Sequence, residues 1–71
     1  MGERWFYYKA LVADKHGKQY RFVFMNNNLQ LARDHADMVC RMYGYNVNKV
    51  SRLDNETGEK LINEAGIFVA I

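Results

Sequence analysis

Residues 4–25 read RWFYYKALVADKHGKQYRFVFM, and this stretch decides the fold. Two runs rich in aromatic and β-branched residues, 5–13 and 18–25, are separated by a short polar segment that ends in Gly17. Such runs favour β-strands, and a glycine at the end of a three-residue loop favours a hairpin in which that glycine takes the left-handed conformation. The stretch therefore predicts an antiparallel β-hairpin with its loop at 15–17.

The loop length determines which residues of the two strands face each other. With a three-residue loop, Asp14 opposes Lys18 as an opposite-charge pair. A loop one residue longer would oppose Ala10 to Arg21 and bring charge onto an apolar face, so the sequence favours the shorter loop. In this register one face of the hairpin carries no charge, and we predict that it faces the core: Phe6, Tyr8, Ala10, Val12, Tyr20, Phe22 and Phe24.

The opposite face of the hairpin, called here the outer face, carries a mixture that is unusual for a solvent-facing surface. Its members are Trp5, Tyr7, Lys9, Leu11, Gln19, Arg21, Val23 and Met25. Aromatic and basic side chains together suit a protein interface, and they equally suit the bases and phosphates of a single-stranded nucleic acid. In a third interpretation the C-terminal segment or a second copy of the chain covers the apolar members, because a domain of 71 residues has little apolar area to spare.

An amphipathic helix is predicted after the hairpin, over Leu29–Tyr43. Three asparagines at 26–28 interrupt the strand, and Asn27 with a glutamine three residues later resembles a capping box. Gly44 stands where a left-handed C-cap would end the helix. The apolar stripe of this helix consists of Leu29, Ala32, Ala36, Val39, Cys40 and Tyr43, and it is flanked by Leu31, His35, Met38 and Met42.

Two further strands are predicted in the remainder of the chain. Residues 45–53 have strand propensity but lose their alternation, which a bulge near 48–49 would restore. The segment 54–58 is typical of a turn, so we predict that 59–63 returns as the fourth strand of a second hairpin. The apolar residues 67–71 are expected to be buried, either as an extension of the fourth strand or as a fifth strand.

These elements predict a single α+β domain over residues 1–71, with an antiparallel sheet of four or five strands and one amphipathic helix on one face, in the order ββαββ. A chain that is 49% hydrophobic and 14% aromatic, without proline, is not a disordered segment. The formal charge of +2 is too small to indicate a dedicated nucleic-acid binder, and it does not exclude one.

The cellular location is predicted from cysteine usage and from the lack of long apolar runs. Cys40 is the only cysteine, so no internal disulfide can form, whereas a small secreted domain would usually carry several. No basic-then-apolar leader is visible, and the longest apolar run is far too short to cross a bilayer. We therefore expect a soluble, cytoplasmic protein without a membrane partner.

Few residues are candidates for catalysis or metal binding. His35 lies between Asp34 and Asp37, but the helical period points both carboxylates away from it and places Cys40 on the core side. A cysteine nucleophile needs partial exposure and a nearby base. We expect Cys40 to be a small core residue, His35 a boundary residue and His16 a solvated residue of the hairpin tip. The sequence thus predicts no catalytic residue, no metal site and no cofactor.

Several elements share a pattern with a known group of proteins. They are the two initial strands, the alanine-lined helix Leu29-x-x-Ala32-x-x-x-Ala36-x-x-x-Cys40, the valine-bearing third strand and the turn at 55–58. In this pattern the chain resembles small phage-encoded inhibitors, including ββαβ-type anti-CRISPR proteins. The resemblance implies an intracellular, non-enzymatic protein that covers a functional surface of a host nuclease complex. Many such inhibitors are acidic mimics of DNA, and this mildly basic chain departs from that pattern.

The sequence therefore predicts a non-enzymatic binding module that acts by protein–protein contact, with a host nucleic-acid-processing complex as the partner that the resemblance implies. The alternatives are RNA or single-stranded DNA binding by the same surface, and a structural homodimer. The predicted partner-binding residues lie on the outer face and at the adjoining edge of the third strand: Trp5, Tyr7, Lys9, Gln19, Arg21, Lys49 and Arg52.

Overall fold

The computed structural model describes residues 4–71, so the first three residues of the predicted domain lie outside the described part. In chain order the elements are β1 (Phe6–Ala13), β2 (Gln19–Asn26), α1 (Leu29–Tyr43), β3 (Asn46–Arg52), α2 (Asn55–Leu61), a 3-10 turn (Ile62–Glu64) and β4 (Phe68–Ala70). The strands form one antiparallel sheet in the order β3-β1-β2-β4. The predicted α+β class with a four-stranded antiparallel sheet is confirmed.

The β1–β2 hairpin has the predicted register. Ala10 pairs with Phe22, and every other pair follows from that one. Gly17 takes the left-handed conformation with a φ of 82°. The backbone N–H of Asp14 donates to the carbonyl of Lys18 at 3.0 Å, which closes the three-residue loop.

The side chain of Asp14 organises the hairpin loop. Its Oδ1 accepts hydrogen bonds from the backbone N–H groups of His16 at 2.8 Å and Lys18 at 2.9 Å. Its Oδ2 accepts a longer bond of 3.4 Å from the Tyr20 hydroxyl. Partial desolvation raises the pKa of Asp14. The two backbone donors and the nearby His16 lower it by more than desolvation raises it, so the pKa lies below the ordinary value of 3.8.

We expect acidification to weaken this loop. A carboxyl group whose pKa is lowered on folding contributes stability above its unfolded pKa, here 3.8, and that contribution is lost as the pH falls through the lowered folded value. Urea unfolding of Asp14→Asn should therefore show a smaller loss of stability between about pH 5 and about pH 3 than the unsubstituted protein shows. Equal losses for the two proteins would mean that the carboxylate of Asp14 does not stabilise the loop.

Helix α1 has the predicted bounds, but its cap is one residue later than predicted. The side-chain oxygen of Asn28 accepts from the N–H of Leu31 at 2.9 Å, as an N-cap residue does. Asn27, the predicted cap, instead donates from its side chain to the carbonyl of Arg4 at 3.0 Å. Gly44 ends the helix with a φ of 74°, as expected.

The core lies between α1 and the sheet. Three small residues of α1, Ala32, Ala36 and Cys40, are buried, which lets the helix approach the aromatic sheet face closely. Leu29 and Tyr43 were predicted in the same stripe but are exposed, because they lie in the first and last turns of α1. The buried core cluster consists of Tyr8, Ala10, Val12, Phe22, Phe24, Ala32, Ala36, Cys40 and Val50.

Strand β3 contains the predicted bulge. Lys49 opposes Leu11 and Val47 opposes Val12, which leaves Asn48 as the extra residue of β3. The bulge restores the alternation, so that both valines of β3 pack on the core cluster.

The segment after β3 is helical, and the predicted second hairpin is wrong. Asp54 is the N-cap of α2, and its carboxylate accepts from the N–H of Thr57 at 3.3 Å. Residues 59–63, predicted as a strand, continue α2 and enter the 3-10 turn. An aspartate that bonds a backbone N–H ahead of it is equally suited to a turn and to a helix start, so the local signal was ambiguous. The order of elements in residues 4–71 is therefore ββαβαβ, with two α-helices.

Strand β4 lies at the edge of the sheet beside β2. Val69 pairs with Arg21, so the chain crosses from one edge of the sheet to the other through α2 and the 3-10 turn. The segment 67–71 was predicted to be buried. Ile67 and Ile71 are exposed instead, because an edge strand is covered on one side only.

Candidate functional site

The outer face of the hairpin is partly covered by the C-terminal part of the chain. Val23 is fully buried, while Trp5 and Met25 remain exposed. Gly58 of α2 lies directly on Tyr7, so closely that a Cβ at that position would overlap the Cβ and ring carbons of Tyr7. The interpretation that the C-terminal segment covers the outer face is therefore correct at Tyr7 and Val23. It is wrong at Trp5 and Met25, which remain exposed.

Arg21, one of the predicted partner-binding residues, is engaged within the chain. Its guanidinium forms an ion pair with Glu64 of the 3-10 turn at 2.7 Å, and both side chains are about two-thirds buried. A phosphate or a partner carboxylate would have to displace Glu64 to reach this cation. Arg21 therefore holds the 3-10 turn against β2 in the structure.

Most of the predicted partner-binding residues lie on the outer face of the hairpin, as expected. Lys9 opposes Val23 and Leu11 opposes Arg21, so Lys9 and Arg21 share the outer face as predicted. Partner binding by this set stays a prediction. Three of its residues are exposed on the outer face, Trp5, Gln19 and Lys49, and three more are half-buried there, Tyr7, Lys9 and Arg21.

Arg52 lies on the other face of the sheet, which corrects the expectation that it extends the outer face. It opposes Tyr8, whose side chain is in the core beneath α1. Its guanidinium carbon is 3.7 Å from the centroid of the Phe6 ring, a cation–π contact. Lys49 and Arg52 are three residues apart in a strand whose side chains alternate, so the two cannot lie on the same face.

A second exposed surface lies along α1. Leu31, His35, Met38 and Met42 follow one another at helical spacing, and we call them the methionine stripe. Its apolar members are accessible: Leu31 is 45% exposed, Met38 60% and Met42 77%. His35 is half-buried, because its ring stacks on Phe24 with centroids 5.0 Å apart. The stripe is therefore anchored to the sheet at His35 and open to solvent elsewhere.

The methionine stripe borders an aromatic cluster that leads to the edge of the sheet. Tyr43, which follows Met42 at the end of α1, is 61% exposed. Its ring meets Phe68 of β4 edge to face, with centroids 5.3 Å apart. Phe68 in turn stacks on Phe22 of the core at 5.0 Å. Aromatic contacts thus connect the exposed end of α1 with β4.

A groove of about 410 Å³ runs between α1 and β3, on the far side of α1 from the methionine stripe. Arg33 and Lys49 line it, and neither forms an ion pair with any residue in the range 4–71. The carboxylate of Asp37, also in the lining, is engaged by Arg41 at 2.7 Å. Arg33 is therefore an uncompensated cation of the groove, whereas Lys49 borders the groove from β3 with its side chain on the outer face, since it opposes Leu11.

The two candidate catalytic residues are placed as the sequence predicts. Cys40 is 1% exposed, and burial, with a smaller effect of Asp37, raises the pKa of its thiol. A thiol in this environment is held in its neutral, unreactive form. His35 is the boundary residue described above, and His16 is exposed at the hairpin tip.

Comparisons with protein-family models, with curated proteins and with solved structures give no match to this chain. Among residues 4–71, no cluster of three or more histidine, cysteine or acidic side chains is arranged to hold a metal ion. The helices in the same range are all too short or too polar to span a membrane.

Sequence reasoning assigned Met38 and Met42 to the border of the core-facing stripe and missed them as a surface. The signal was present, because the apolar arc of α1 is wider than a contact with one sheet requires. An arc of this width is compatible with either a deeply buried helix or a second apolar contact. The structure distinguishes these alternatives by leaving both methionines exposed.

Proposed function

We propose that this chain is a non-enzymatic binding module that acts by protein–protein contact through the methionine stripe and Tyr43. The observation that carries the proposal is the exposure of Leu31, Met38 and Met42 on one side of a single helix. A domain this small depends on burying its apolar residues, so leaving three large ones in water on one side of α1 has a cost that a partner would remove.

The chemistry of the stripe suits a protein partner. Methionine side chains adapt to irregular apolar surfaces, and methionine and tyrosine are enriched at the cores of protein interfaces. The solvent-facing side of α1, between the stripe and the groove, carries Asp37 and Arg41, which neutralise each other at 2.7 Å. An apolar centre with a polar rim is the usual composition of such an interface. The resemblance to phage-encoded inhibitors makes a host nucleic-acid-processing complex the first class of partner to test.

Nucleic-acid binding is the second candidate, and the groove beside β3 favours it. Arg33 and Lys49 line the groove without ion-pair partners in the described range, and Arg52 lies on the same edge strand. Cations in such a position can contact phosphates without displacing an internal carboxylate. The outer face originally predicted for this role is less suitable, because Arg21 is engaged by Glu64.

We expect the double variant Met38→Gln/Met42→Gln to lose most of its partner binding. Each substitution keeps the length of the side chain and its helix propensity but removes its apolar end. The expected loss of binding is about 2 kcal/mol for the pair, or roughly 30-fold in affinity. The measurement is quantitative capture of partners from a lysate of cells that naturally express the chain, with and without nuclease treatment.

The matched control is Arg33→Gln/Lys49→Gln, which changes the same number of exposed residues at the groove. Under the main proposal this control binds normally, nuclease treatment has no effect, and circular dichroism shows both variants folded. Capture that the methionine substitutions leave unchanged would contradict the proposal. Nucleic-acid binding would be established instead if nuclease treatment abolished capture and if only the Arg33→Gln/Lys49→Gln variant lost it. Binding should then fall steeply as the salt concentration rises.

A further inference from the structure

The two edges of the sheet are protected to different degrees. At one edge, β3 is interrupted by the bulge at Asn48 and carries the exposed Lys49, both of which hinder pairing with another strand. At the other edge, β4 has no bulge in its pairing with β2, and the segment 67–71 contains no charged residue. An uncharged, regular edge strand is a surface on which another strand can pair.

The backbone of β4 has hydrogen-bonding groups directed at this free edge. The N–H of Ile71 donates to the carbonyl of Gln19 on β2 at 3.1 Å, so odd-numbered residues of the segment direct their backbone groups toward β2. Backbone groups alternate in direction along a strand. The N–H and C=O groups of Phe68 and Ala70 therefore point away from β2.

We propose that a second copy of this chain pairs antiparallel with β4, about a two-fold axis at Val69. In that register Phe68 faces the partner's Ala70, and Ala70 faces the partner's Phe68. Each of these is a hydrogen-bonded pair that exchanges two bonds, so every free backbone group of β4 is satisfied. The contact is isologous and joins the two sheets into one continuous sheet.

The side chains of residues 67–71 are also arranged symmetrically about Val69. Ile67 is 55% exposed and Ile71 is 71% exposed, and each lies two residues from Val69. A two-fold axis at Val69 therefore sets Ile67 against the partner's Ile71, and the reverse. This arrangement brings four exposed isoleucines into contact without burying a charged side chain, which is why a second copy fits this edge better than a partner with charged side chains. The contact uses the sheet edge rather than the methionine stripe, so the two surfaces can be tested separately.

A disulfide at the axis tests the proposed pairing. Val69 and the partner's Val69 form a non-hydrogen-bonded pair with Cα atoms about 4.5 Å apart, within the range that a disulfide spans. Mild oxidation of Val69→Cys should give a covalent dimer, detected on a non-reducing gel. Asn46→Cys, at an exposed position on the opposite edge strand, is the matched control and should stay monomeric, and the native Cys40 is buried in both proteins.

The register is tested by mixing two variants. Ile67→Cys and Ile71→Cys should cross-link with each other, and each alone should give little dimer, because like positions lie on opposite sides of the axis. In addition, Ala70→Pro removes a backbone N–H that points to the free edge and none that bonds β2. Sedimentation equilibrium should show its dimer lost while its thermal unfolding temperature stays near that of the unsubstituted protein.

Three results would overturn this inference. The first is that Val69→Cys cross-links no better than Asn46→Cys. The second is that the unsubstituted chain sediments as a monomer at every concentration tested. The third is a dimer that Met38→Gln/Met42→Gln dissociates and Ala70→Pro does not, which would place the self-contact on the methionine stripe. If Ala70→Pro fails to fold, the cross-linking pairs still decide the question.

Discussion

Replacing Phe22 by alanine should destabilise the fold by about 3–5 kcal/mol, the largest effect that we expect from any single substitution. Phe22 is 2% exposed and lies at the centre of the aromatic cluster. Its ring stacks on Phe24 at 5.2 Å and on Phe68 at 5.0 Å, so it connects the middle of the sheet to the edge strand β4. Removing it leaves a cavity bordered by rigid rings that cannot move in to fill it.

The size of this effect is large relative to the stability of so small a domain. A chain of 71 residues is expected to unfold with roughly 4–11 kcal/mol. Urea denaturation followed by circular dichroism should therefore show Phe22→Ala with a much lower urea midpoint than the unsubstituted protein, because the loss is a large share of the total stability. The matched control is Leu31→Ala, which truncates an exposed apolar residue of α1 and should change stability by less than about 1 kcal/mol. Equal effects of the two substitutions would mean that Phe22 is not a core residue.

Gly58→Ala should destabilise the protein by about 1–3 kcal/mol, although alanine is normally the better helix former. In an exposed helix the same change would stabilise by up to about 1 kcal/mol. Here the added methyl group would overlap the Cβ and ring carbons of Tyr7. The Cβ of Tyr7 cannot move unless the backbone of β1 moves with it. The added methyl group would therefore force α2 away from the sheet. The sign of the change in unfolding free energy therefore reports whether α2 packs on the hairpin.

A double-mutant cycle separates this packing effect from helix propensity. In a Tyr7→Gly background both the ring and the Cβ at position 7 are absent, so the overlap is removed and Gly58→Ala should then be neutral or stabilising. Urea unfolding of the four proteins measures the coupling, which should amount to at least about 1 kcal/mol. If Gly58→Ala stabilises the protein in both backgrounds, α2 does not lie on Tyr7, and the outer face is open as the sequence first indicated.

The proposed dimer and the proposed binding surface give the exposed apolar residues different roles. The isoleucines at 67 and 71 would be covered by a second copy, while the methionine stripe stays available for a different protein. Both surfaces lie toward β4, and the cationic groove lies toward β3. The asymmetry follows from the position of α1, which packs more closely against β3 than against β2.

The candidate sites were less predictable from the sequence than the fold. The alternation of β1 and β2, together with the register that the loop determines, correctly placed Lys9 and Arg21 on one face, because strand periodicity and hairpin register are local properties. The accessibility of those residues depends on what packs above them, and that is a long-range property. Glu64 is 43 residues from Arg21 in the sequence, and nothing local in either segment predicts their contact.

The sequence by itself determined the hairpin, its register, helix α1 and the bulge of β3. In each of these, one physical cause dominates within a few residues: the left-handed Gly17, the spacing of Ala32, Ala36 and Cys40, and the break in alternation at Asn48. Only the tertiary structure decided that residues 55–61 form a helix over the outer face. The local signal there suits a turn and a helix start equally, and what separates the two is the contact of Gly58 with Tyr7, which lies near the other end of the sequence.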